Sequence, residues 1–301
     1  MTTDKNASHP GDRLRSLCAS GPVVAPGAYN GLVAREVARA GFDACYLSGG
    51  ALSASSGVPD IGVLTLDRFA AAVREVATHS GLPVIADADT GFGEEEMVRR
   101  TVIEYERAGA AACHIEDQVF PKRCGHVEGK TLIPLEHCVA KIRWAAQASR
   151  DCSGGSFIVC ARTDARAVDG LSAAIERSTA YAEAGAGMLF PEGLHSEDEF
   201  AAFAEAFSHL GDSRPLLLGN MTEFGKTPHI SANRFGELGY DVVIFPVTTL
   251  RITMHAVSSF LRELRETGTA EAWESRMQPR DDLYALLGYE PTGGGYRYPP
   301  A

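Results

Sequence analysis

The sequence predicts an α/β protein, most simply a (β/α)8 barrel of the TIM type that carries extra helices after its last strand. Short apolar runs, which are typical of buried strands, alternate along the chain with longer amphipathic stretches, which are typical of helices. A glycine ends several amphipathic stretches just before an apolar run, as at Gly41, Gly109, Gly185 and Gly239, and glycine is the residue that most often ends a helix. Strand followed by helix, repeated along the whole chain, predicts a parallel sheet that closes on itself.

The predicted elements can be placed in chain order. Eight apolar runs are predicted to be strands, at 23–26, 44–48, 84–88, 112–116, 157–161, 188–191, 216–219 and 242–245. Stretches at 66–78, 94–108, 135–148 and 171–184 are predicted to be helices, and the Gly-rich segment 151–156 is predicted to be a loop. An open, doubly wound sheet is the alternative fold. It usually has fewer strands and a glycine-rich first turn, and this chain contains neither GxGxxG nor a P-loop.

The chain continues beyond the eighth strand through 248–267 and about 270–287, which is more than a barrel requires. These segments either pack on a neighbouring subunit or cover the bottom of the barrel. We therefore expect a single barrel domain with a helical extension over residues 11–291. Residues 1–10 are predicted to be disordered, and the Gly- and Pro-rich residues 292–301 are predicted to form a flexible tail.

Composition and charge exclude several classes of partner. The net charge of −11 argues against nucleic acid or an anionic membrane as a general partner. No apolar stretch approaches membrane-spanning length, and the polar N-terminus does not have the pattern of a secretory signal. The seven cysteines are scattered without the spacing of a zinc site. Scattered thiols in apolar runs indicate a reducing compartment, so a cytoplasmic location is expected.

Polar residues gather where the predicted strands end. In barrels of this kind the reacting groups lie at the C-terminal ends of the strands. From the second strand to the eighth, these ends supply Tyr46, Ser48, Gly49 and Gly50, then Asp87 and Asp89, then Glu116, Arg162, Glu192, Asn220 with Thr222, and finally Arg251. One polar strand end means little, but the same placement on successive strands predicts a shared site.

Three carboxylates of this set, Asp87, Asp89 and Glu116, form an oxygen-only group. Hard oxygen donors suit Mg²⁺ or Mn²⁺ better than zinc, so the sequence predicts a metal site here. The alternative is a strand-end turn with solvated acids. Arg162 and Arg251 are candidates to hold a carboxylate through paired hydrogen bonds.

A single thiol stands among basic residues in the run Lys122-Arg123-Cys124-Gly125-His126. Neighbouring cations favour thiolate and make the proton on sulfur transferable, and the glycine leaves room for a substrate beside the backbone. This pattern predicts a proton-transferring cysteine. The alternative is a basic surface loop with an incidental cysteine.

Seven motifs occur in one order along the chain, namely YLSGG, DADTGFG, HIEDQ, KRCGH, ARTDA, LFPE and NMTEFG. In this combination the chain resembles the isocitrate lyase/phosphoenolpyruvate mutase superfamily from about residue 22 to residue 287. It is most similar to the enzymes of the methylcitrate cycle, in propionate catabolism, that cleave 2-methylisocitrate to pyruvate and succinate with Mg²⁺. The resemblance implies a small tricarboxylate substrate, a barrel whose last helix is exchanged between neighbouring subunits, and a homotetramer built as a dimer of dimers.

The same resemblance implies roles for the site residues. Ser48, Gly49 and Gly50 would hold a substrate carboxylate, Asp87 and Asp89 would serve the metal with Glu116 beside it, and Cys124 would be the general acid, assisted by Lys122 and His126. The substrate site would further include Cys124, Gly125, Arg162, Glu192, Asn220, Thr222, Arg251 and Arg280. The base stays open between Tyr46 and a metal-linked water near Glu116.

Two features favour the methylated substrate. The chain lacks the large insertion of isocitrate lyases. It also has Phe190 before Pro191, at the position where the isocitrate lyases that it resembles have a larger tryptophan. A smaller ring leaves space for one methyl group. The alternatives are superfamily activities on isocitrate, 2,3-dimethylmalate, oxaloacetate or a phosphonate, and a carboxylate-binding protein without turnover.

Overall fold

The computed structural model describes residues 8–123 and 129–297. Its centre is a barrel of eight parallel strands, which confirms the predicted fold class. The strands are β1 Val23–Pro26, β2 Cys45–Leu47, β3 Val84–Asp87, β4 Ala112–Glu116, β5 Ile158–Thr163, β6 Met188–Pro191, β7 Leu216–Asn220 and β8 Val242–Phe245. From β2 onward each strand pairs with the next, and β1 pairs with β8. A bridge between Gly27 and Tyr46 joins the ends of β1 and β2.

Helices surround the strands. They are α1 Pro10–Cys18, α2 Gly31–Arg39, α3 Gly49–Ser55, α4 Leu66–Ser80, α5 Glu95–Arg107, α6 Leu135–Ser153, α7 Ala165–Asp169, α8 Leu171–Glu183, α9 Glu197–Ser208, α10 Ala232–Glu237, α11 Thr248–Thr267 and α12 Arg280–Leu287. Two 3-10 turns lie at Gly211–Ser213 and Glu271–Arg276. Among the residues described, no helix is both long enough and apolar enough to cross a membrane.

The core has two layers, because successive side chains of a strand point to opposite faces of the sheet. Ile85, Ile158 and Met188 lie inside the barrel. Val84 and Leu189, which alternate with them, pack outward against the helices. The same alternation decides which residues face inward where the strands end.

Helix α1 contributes to the barrel interior. Leu14 of α1 is fully buried with the inward-facing strand residues. Gly11 is required there, because a Cβ atom at this position would lie 2.0 Å from the Ser156 carbonyl oxygen. The helix begins at Pro10, so the stretch predicted to be disordered at 1–10 already contains its first residue.

The prediction of a loop over 151–156 is wrong in its first half. Helix α6 continues to Ser153 and ends at Gly154, which adopts a left-handed φ of 65°. The Ser153 hydroxyl oxygen accepts a hydrogen bond from the Phe157 amide, and Ser149 donates to the Phe157 carbonyl. These serine bonds fix the helix end against β5, which a reading of glycine content alone misses.

The C-terminal extension begins with helix α11 and continues through shorter elements. A 3-10 turn and Pro279 interrupt the predicted segment 270–287, and only α12 remains helical at its end. Arg35 of α2 donates to the Leu286 carbonyl oxygen, so α12 lies on the flank of the barrel rather than across its bottom. Short antiparallel strands, β9 Tyr289–Glu290 and β10 Gly295–Tyr296, form within and beside the stretch that was predicted to be a flexible tail.

Candidate active site

The inward-facing side chains at the C-terminal ends of the strands form a polar layer above the apolar interior. Because side chains alternate along a strand, Asp87 faces inward like Ile85, two residues before it on β3. On β4, His114 and Glu116 face inward in the same way. The strand register pairs Asp87 with His114 and Glu116 with Arg162. The alternation that fills the barrel with apolar side chains therefore also brings the predicted residues together.

Lys122 lies among the predicted metal carboxylates. Its side chain is 3% exposed, and its ammonium nitrogen is 2.9 Å from Asp89 Oδ1 and 2.5 Å from Asp60 Oδ1. Its charge also favours the ionised forms of Asp87 and Glu116. Lys122 thus supplies positive charge at the place where the sequence predicts a metal ion.

Burial makes this group of acids hard to ionise completely. Burial, and after it the charge of Asp87, raises the pKa of Asp89 to about 6. Burial also raises the pKa of Glu116 well above its usual value, although neighbouring cations oppose the shift. For Asp87 burial is outweighed, chiefly by His114 and then by Lys122, and its pKa is lowered. Asp87 is therefore the acid of this group that most readily carries a charge.

The donor chemistry of the acids fits a divalent cation. Glu116 Oε2 is 3.3 Å from Arg162 Nε and Asp89 Oδ1 is 2.9 Å from Lys122 Nζ, but Glu116 Oε1 is buried and accepts no hydrogen bond from the described residues. Oxygens of this kind are unfavourable unless a cation meets them. Within residues 8–123 and 129–297, no three acidic, thiol or imidazole side chains already converge as ligands. The fit thus rests on one unused oxygen, Glu116 Oε1, and on the oxygen-only chemistry of the three acids, and not on a complete coordination shell.

Arg162 lies along one wall of the site, surrounded by carboxylates. Its guanidinium is 3.3 Å from Glu116 Oε2 and 3.3 Å from Glu192 Oε2, and its Nε donates to Asp164 at 2.9 Å. The Asn220 amide nitrogen donates to both oxygens of Glu192, at 3.3 and 3.2 Å. These contacts join the ends of four strands, β4 to β7, into one charged wall.

Tyr46 is hydrogen-bonded to a neutral histidine. The Tyr46 hydroxyl oxygen is 2.7 Å from His114 Nε2, and His114 Nδ1 is 3.6 Å from Asp87 Oδ1. Burial lowers the pKa of His114 to about 4, so the ring is neutral near pH 7. Burial also raises the pKa of Tyr46 well above its usual value, so its hydroxyl keeps its proton. If the Nδ1 proton faces Asp87, then Nε2 is the acceptor for the Tyr46 hydroxyl.

The Ser48-Gly49-Gly50 turn forms the start of helix α3, a helix that the sequence did not predict. The Ser48 hydroxyl oxygen caps the helix by accepting from the Ala51 amide, and the Gly49 amide donates to Asp87 Oδ2 at 3.0 Å. A Cβ atom at position 49 would lie 2.7 Å from that oxygen. The turn therefore holds Asp87 in place, in addition to its predicted role towards a substrate carboxylate.

Some of these side chains line a cavity of about 70 Å³, whereas Asp89 and Glu116 contact the lining residues Lys122 and Arg162 and are not themselves in its wall. Of the predicted residues, its wall contains Tyr46, Ser48, Gly50, Asp87, Lys122, Arg162, Glu192 and Asn220. It also contains Asp60, which the sequence argument missed, because Asp60 lies in the connection between α3 and α4 and follows no strand. His114 was missed too, although its position two residues before Glu116 on the same strand was a usable signal.

The remaining predicted residues lie elsewhere. Thr222 is buried just beyond β7. Arg251, on the first turn of α11, is exposed and donates to the Glu223 carbonyl oxygen, and Arg280 is exposed at the first residue of α12. Neither arginine lines the cavity within this chain. Cys124, Gly125 and His126 lie outside the described residues, so their roles stay predictions.

Comparison with known sequences identifies relatives over most of the chain. The model of the phosphoenolpyruvate phosphomutase family matches residues 14–265. A probable 2-methylisocitrate lyase of Corynebacterium glutamicum is 50% identical over 265 residues, which cover 88% of this chain and 84% of that protein. The 2-methylisocitrate lyase of Aeropyrum pernix is 48% identical over 281 residues, which cover 93% of this chain and 88% of that protein.

Solved structures agree with this relationship. The crystal structure of a 2,3-dimethylmalate lyase superposes with a TM-score of 0.85 at 37% identity, covering 94% of this chain and 92% of that one. A phosphonopyruvate hydrolase in complex with oxalate and Mg²⁺ superposes with a TM-score of 0.81 at 29% identity, covering 93% of this chain and 95% of that one.

Proposed function

This chain belongs to the phosphoenolpyruvate phosphomutase family, and from that membership we propose that it is a carbon–carbon lyase that cleaves 2-methylisocitrate to pyruvate and succinate. The relatives at 48–50% identity carry this activity in their names. The observation that supports it most directly is the acidic and basic layer at the C-terminal barrel end, with Tyr46, Asp87, Lys122 and Arg162 around one cavity.

The charge of this layer supports a requirement for a divalent cation. Among the described residues, six carboxylates face three cations here. The acids are Asp60, Asp87, Asp89, Glu116, Asp164 and Glu192, and the cations are Lys122, Lys130 and Arg162. A tricarboxylate brings further negative charge and would be repelled. A divalent cation offsets that repulsion, and Mg²⁺ suits these oxygen donors.

We propose that Asp87, Asp89 and Glu116, with Asp60, hold Mg²⁺ together with the substrate. When bound, the ion acidifies the substrate hydroxyl and stabilises the ketone oxygen that forms. Asp87 is suited to direct contact because its pKa is lowered. The raised pKa of Asp89 and Glu116 is the expected state of these acids before a cation arrives.

Tyr46 is the base that the geometry favours. Because its hydroxyl keeps its proton, Tyr46 can accept the substrate hydroxyl proton only while it passes its own proton to His114 Nε2, 2.7 Å away. Neutral His114 can take that proton on Nε2 when its own proton is on Nδ1. The proton thus leaves the substrate oxygen without an isolated phenolate in the barrel interior.

The cleavage that follows breaks the bond between C2 and C3 of the substrate. The hydroxyl oxygen becomes the ketone oxygen of pyruvate, and the bond pair passes to the carbon that becomes part of succinate, where the neighbouring carboxylate delocalises it. Arg162 and Lys122 line the same cavity and supply positive charge that would stabilise this developing anion. Cys124 would donate its thiol proton to that carbon, with the surrounding basic residues stabilising the thiolate left behind.

The test is a coupled assay of pyruvate formation with Mg²⁺. The panel contains 2-methylisocitrate, isocitrate, 2,3-dimethylmalate, oxaloacetate and phosphonopyruvate. We expect the highest kcat/KM for 2-methylisocitrate, and a Cys124→Ser variant should bind this substrate but lose about 10²–10⁴-fold in kcat. A higher kcat/KM for another compound of the panel would show that this compound, and not 2-methylisocitrate, is the preferred substrate. Binding without turnover of any compound would reject the lyase activity.

We also propose that the protein is a homotetramer in the cytoplasm. Within this chain α11 buries no residue, and it exposes Ile252, Met254 and Leu261. Exposed apolar residues on one helix are typical of an interface. The cysteines described, none of which forms a disulfide, agree with a reducing compartment. Light scattering after size-exclusion chromatography should give four times the chain mass of 32.1 kDa.

A further inference from the structure

Asp164, the residue that follows β5, binds two cations and does not line the cavity. It is completely buried. Its carboxylate accepts from Arg162 Nε at 2.9 Å and from Arg162 Nη2 at 3.3 Å. The ammonium of Lys130, which is also buried, donates to Asp164 Oδ1 at 2.6 Å. A buried carboxylate held by three charge-assisted hydrogen bonds has a fixed position.

The paired bonds determine how Arg162 faces the cavity. A guanidinium is planar, so two bonds to one carboxylate fix both its position and the plane in which its other N–H groups lie. With Nε and Nη2 directed at Asp164, Nη1 points to Glu192, 3.3 Å away, on the cavity wall. Asp164, which lies outside the cavity, therefore fixes the orientation in which the Arg162 guanidinium faces an anion in the cavity.

Asp164 is itself held by a second buried carboxylate, Asp117 at the end of β4. Asp117 accepts from the Asp164 amide at 2.9 Å and from the Thr163 hydroxyl at 2.7 Å. Arg177 and Tyr181 of α8 donate to the same carboxylate at 3.2 and 2.9 Å. The turn after β5 is thus fastened to β4 and α8.

We infer that Asp164 is a positioning residue of the reaction, which acts on the substrate through Arg162 and does not touch it. This inference rests on the proposed function, together with the predicted role of Arg162 in binding a substrate carboxylate. Asp117 supports the same arrangement by fixing the backbone of Thr163 and Asp164. Both acids lie in motifs of the sequence, HIEDQ and ARTDA, but the sequence alone assigned neither of them a role.

The chain offers a matched control in a second aspartate–arginine pair. Asp241 accepts from Arg214 Nη1 and Nη2, both at 2.9 Å, and also from the Leu217 amide. Asp241 precedes β8, so this pair lies at the opposite end of the barrel from the cavity. Loss of either aspartate removes a paired charge, buried for Asp164 and partly buried for Asp241, but only Asp164 is expected to affect the substrate.

The first experiment compares Asp164→Asn with Asp241→Asn. Misplacing a substrate-binding group by about 1 Å can lower activity about 10²-fold. We expect Asp164→Asn to lower kcat/KM about 10²-fold, with KM raised at least about tenfold, because asparagine has one acceptor oxygen for the fork of Arg162. Asp241→Asn should lower the melting temperature and leave kcat/KM within about twofold of wild type. Equal effects of both variants on kcat/KM would overturn the inference.

A double-mutant cycle separates orientation of Arg162 from general damage. Lysine has no planar fork to orient. In an Arg162→Lys background, Asp164→Asn should therefore lower kcat/KM by less than about threefold, far below its effect in wild type. If the fold losses in kcat/KM of the two single variants instead multiply in the double variant, Asp164 does not act through Arg162.

Oxalate titration in the presence of Mg²⁺, followed by calorimetry, gives a readout that needs no turnover. Asp164→Asn should weaken oxalate binding about tenfold. The proposed function is tested separately, and it fails if wild type releases no pyruvate from any compound of the panel. Should Asp164→Asn not fold, Thr163→Val removes one bond to Asp117 and should weaken oxalate binding in the same direction, by a smaller factor. Unchanged oxalate affinity, or no oxalate binding to wild type, would overturn the inference.

Discussion

Replacing Tyr46 with phenylalanine tests the proposed proton route. The substitution removes only the hydroxyl, whose oxygen is 2.7 Å from His114 Nε2. The ring stays, and it continues to stack on His114 with a centroid separation of 5.9 Å and an interplanar angle of 7°. Because the side chain is 2% exposed and its shape hardly changes, no water-filled cavity or shift of the barrel is expected.

Two magnitudes follow from this geometry. A general acid–base group contributes about 10²–10⁴-fold to rate, so kcat should fall by about that factor while KM changes little. In the variant the buried Nε2 of His114 loses its donor, and an unsatisfied buried acceptor lowers the free energy of unfolding by about 1–3 kcal/mol. The variant should therefore remain folded, with a lower melting temperature and a much lower turnover.

The assay is pyruvate release under saturating 2-methylisocitrate and Mg²⁺, alongside urea unfolding. Tyr105→Phe is the matched control, because the fully buried Tyr105 hydroxyl donates to the Asp87 carbonyl oxygen at 2.8 Å. It should lose similar stability, about 1–3 kcal/mol, but less than about tenfold in kcat. If Tyr46→Phe keeps more than about a tenth of wild-type kcat, or loses no more than the control, the proton does not pass through Tyr46.

Three further predictions test the metal, the substrate preference and the surface electrostatics. EDTA should abolish turnover, and Mg²⁺ at a hundred times its Kd should raise the free energy of unfolding of wild type by about 2.7 kcal/mol. Asp87→Asn should lose this Mg²⁺-dependent stabilisation in a thermal melt. If the variant keeps the Mg²⁺-dependent rise in melting temperature, Asp87 does not hold the metal. Phe190 is fully buried on the cavity wall. Phe190→Trp should fill the space for the methyl group and shift the kcat/KM ratio of 2-methylisocitrate to isocitrate towards isocitrate by about 1–3 kcal/mol. An unchanged ratio would remove this reason for choosing the methylated substrate. The hydrogen bond from Arg166 lowers the pKa of Glu199 from its ordinary value of 4.5, so its contribution to stability is present above that pH and is lost as the pH falls through the folded-state pKa. The difference in unfolding free energy between wild type and Glu199→Gln should thus shrink on acidification, and a difference that stays constant down to about pH 2 would contradict this.

The sequence by itself determined the fold class and much of the site. Short apolar runs between amphipathic stretches predicted the strands, and the polar residues at the strand ends were expected at one face because parallel strands of a barrel all end on the same side. Asp87, Arg162, Glu192 and Asn220 came from different strands and meet around one cavity. The end of a strand is a local feature of the chain, so the sequence is enough to predict which polar residues stand there.

Tertiary structure decided what depends on distant partners. Asp60 and Lys122 join the site through a loop and a segment far apart in sequence, and no periodicity relates them. The roles of Asp117 and Asp164 depend on hydrogen bonds that cross from β4 to β5 and α8. Burial, which shifts the pKa of His114, Asp89 and Glu116, depends on everything packed around them. A chain pattern states which residues share a face, whereas contact, orientation and ionisation are set only when the whole barrel closes around them.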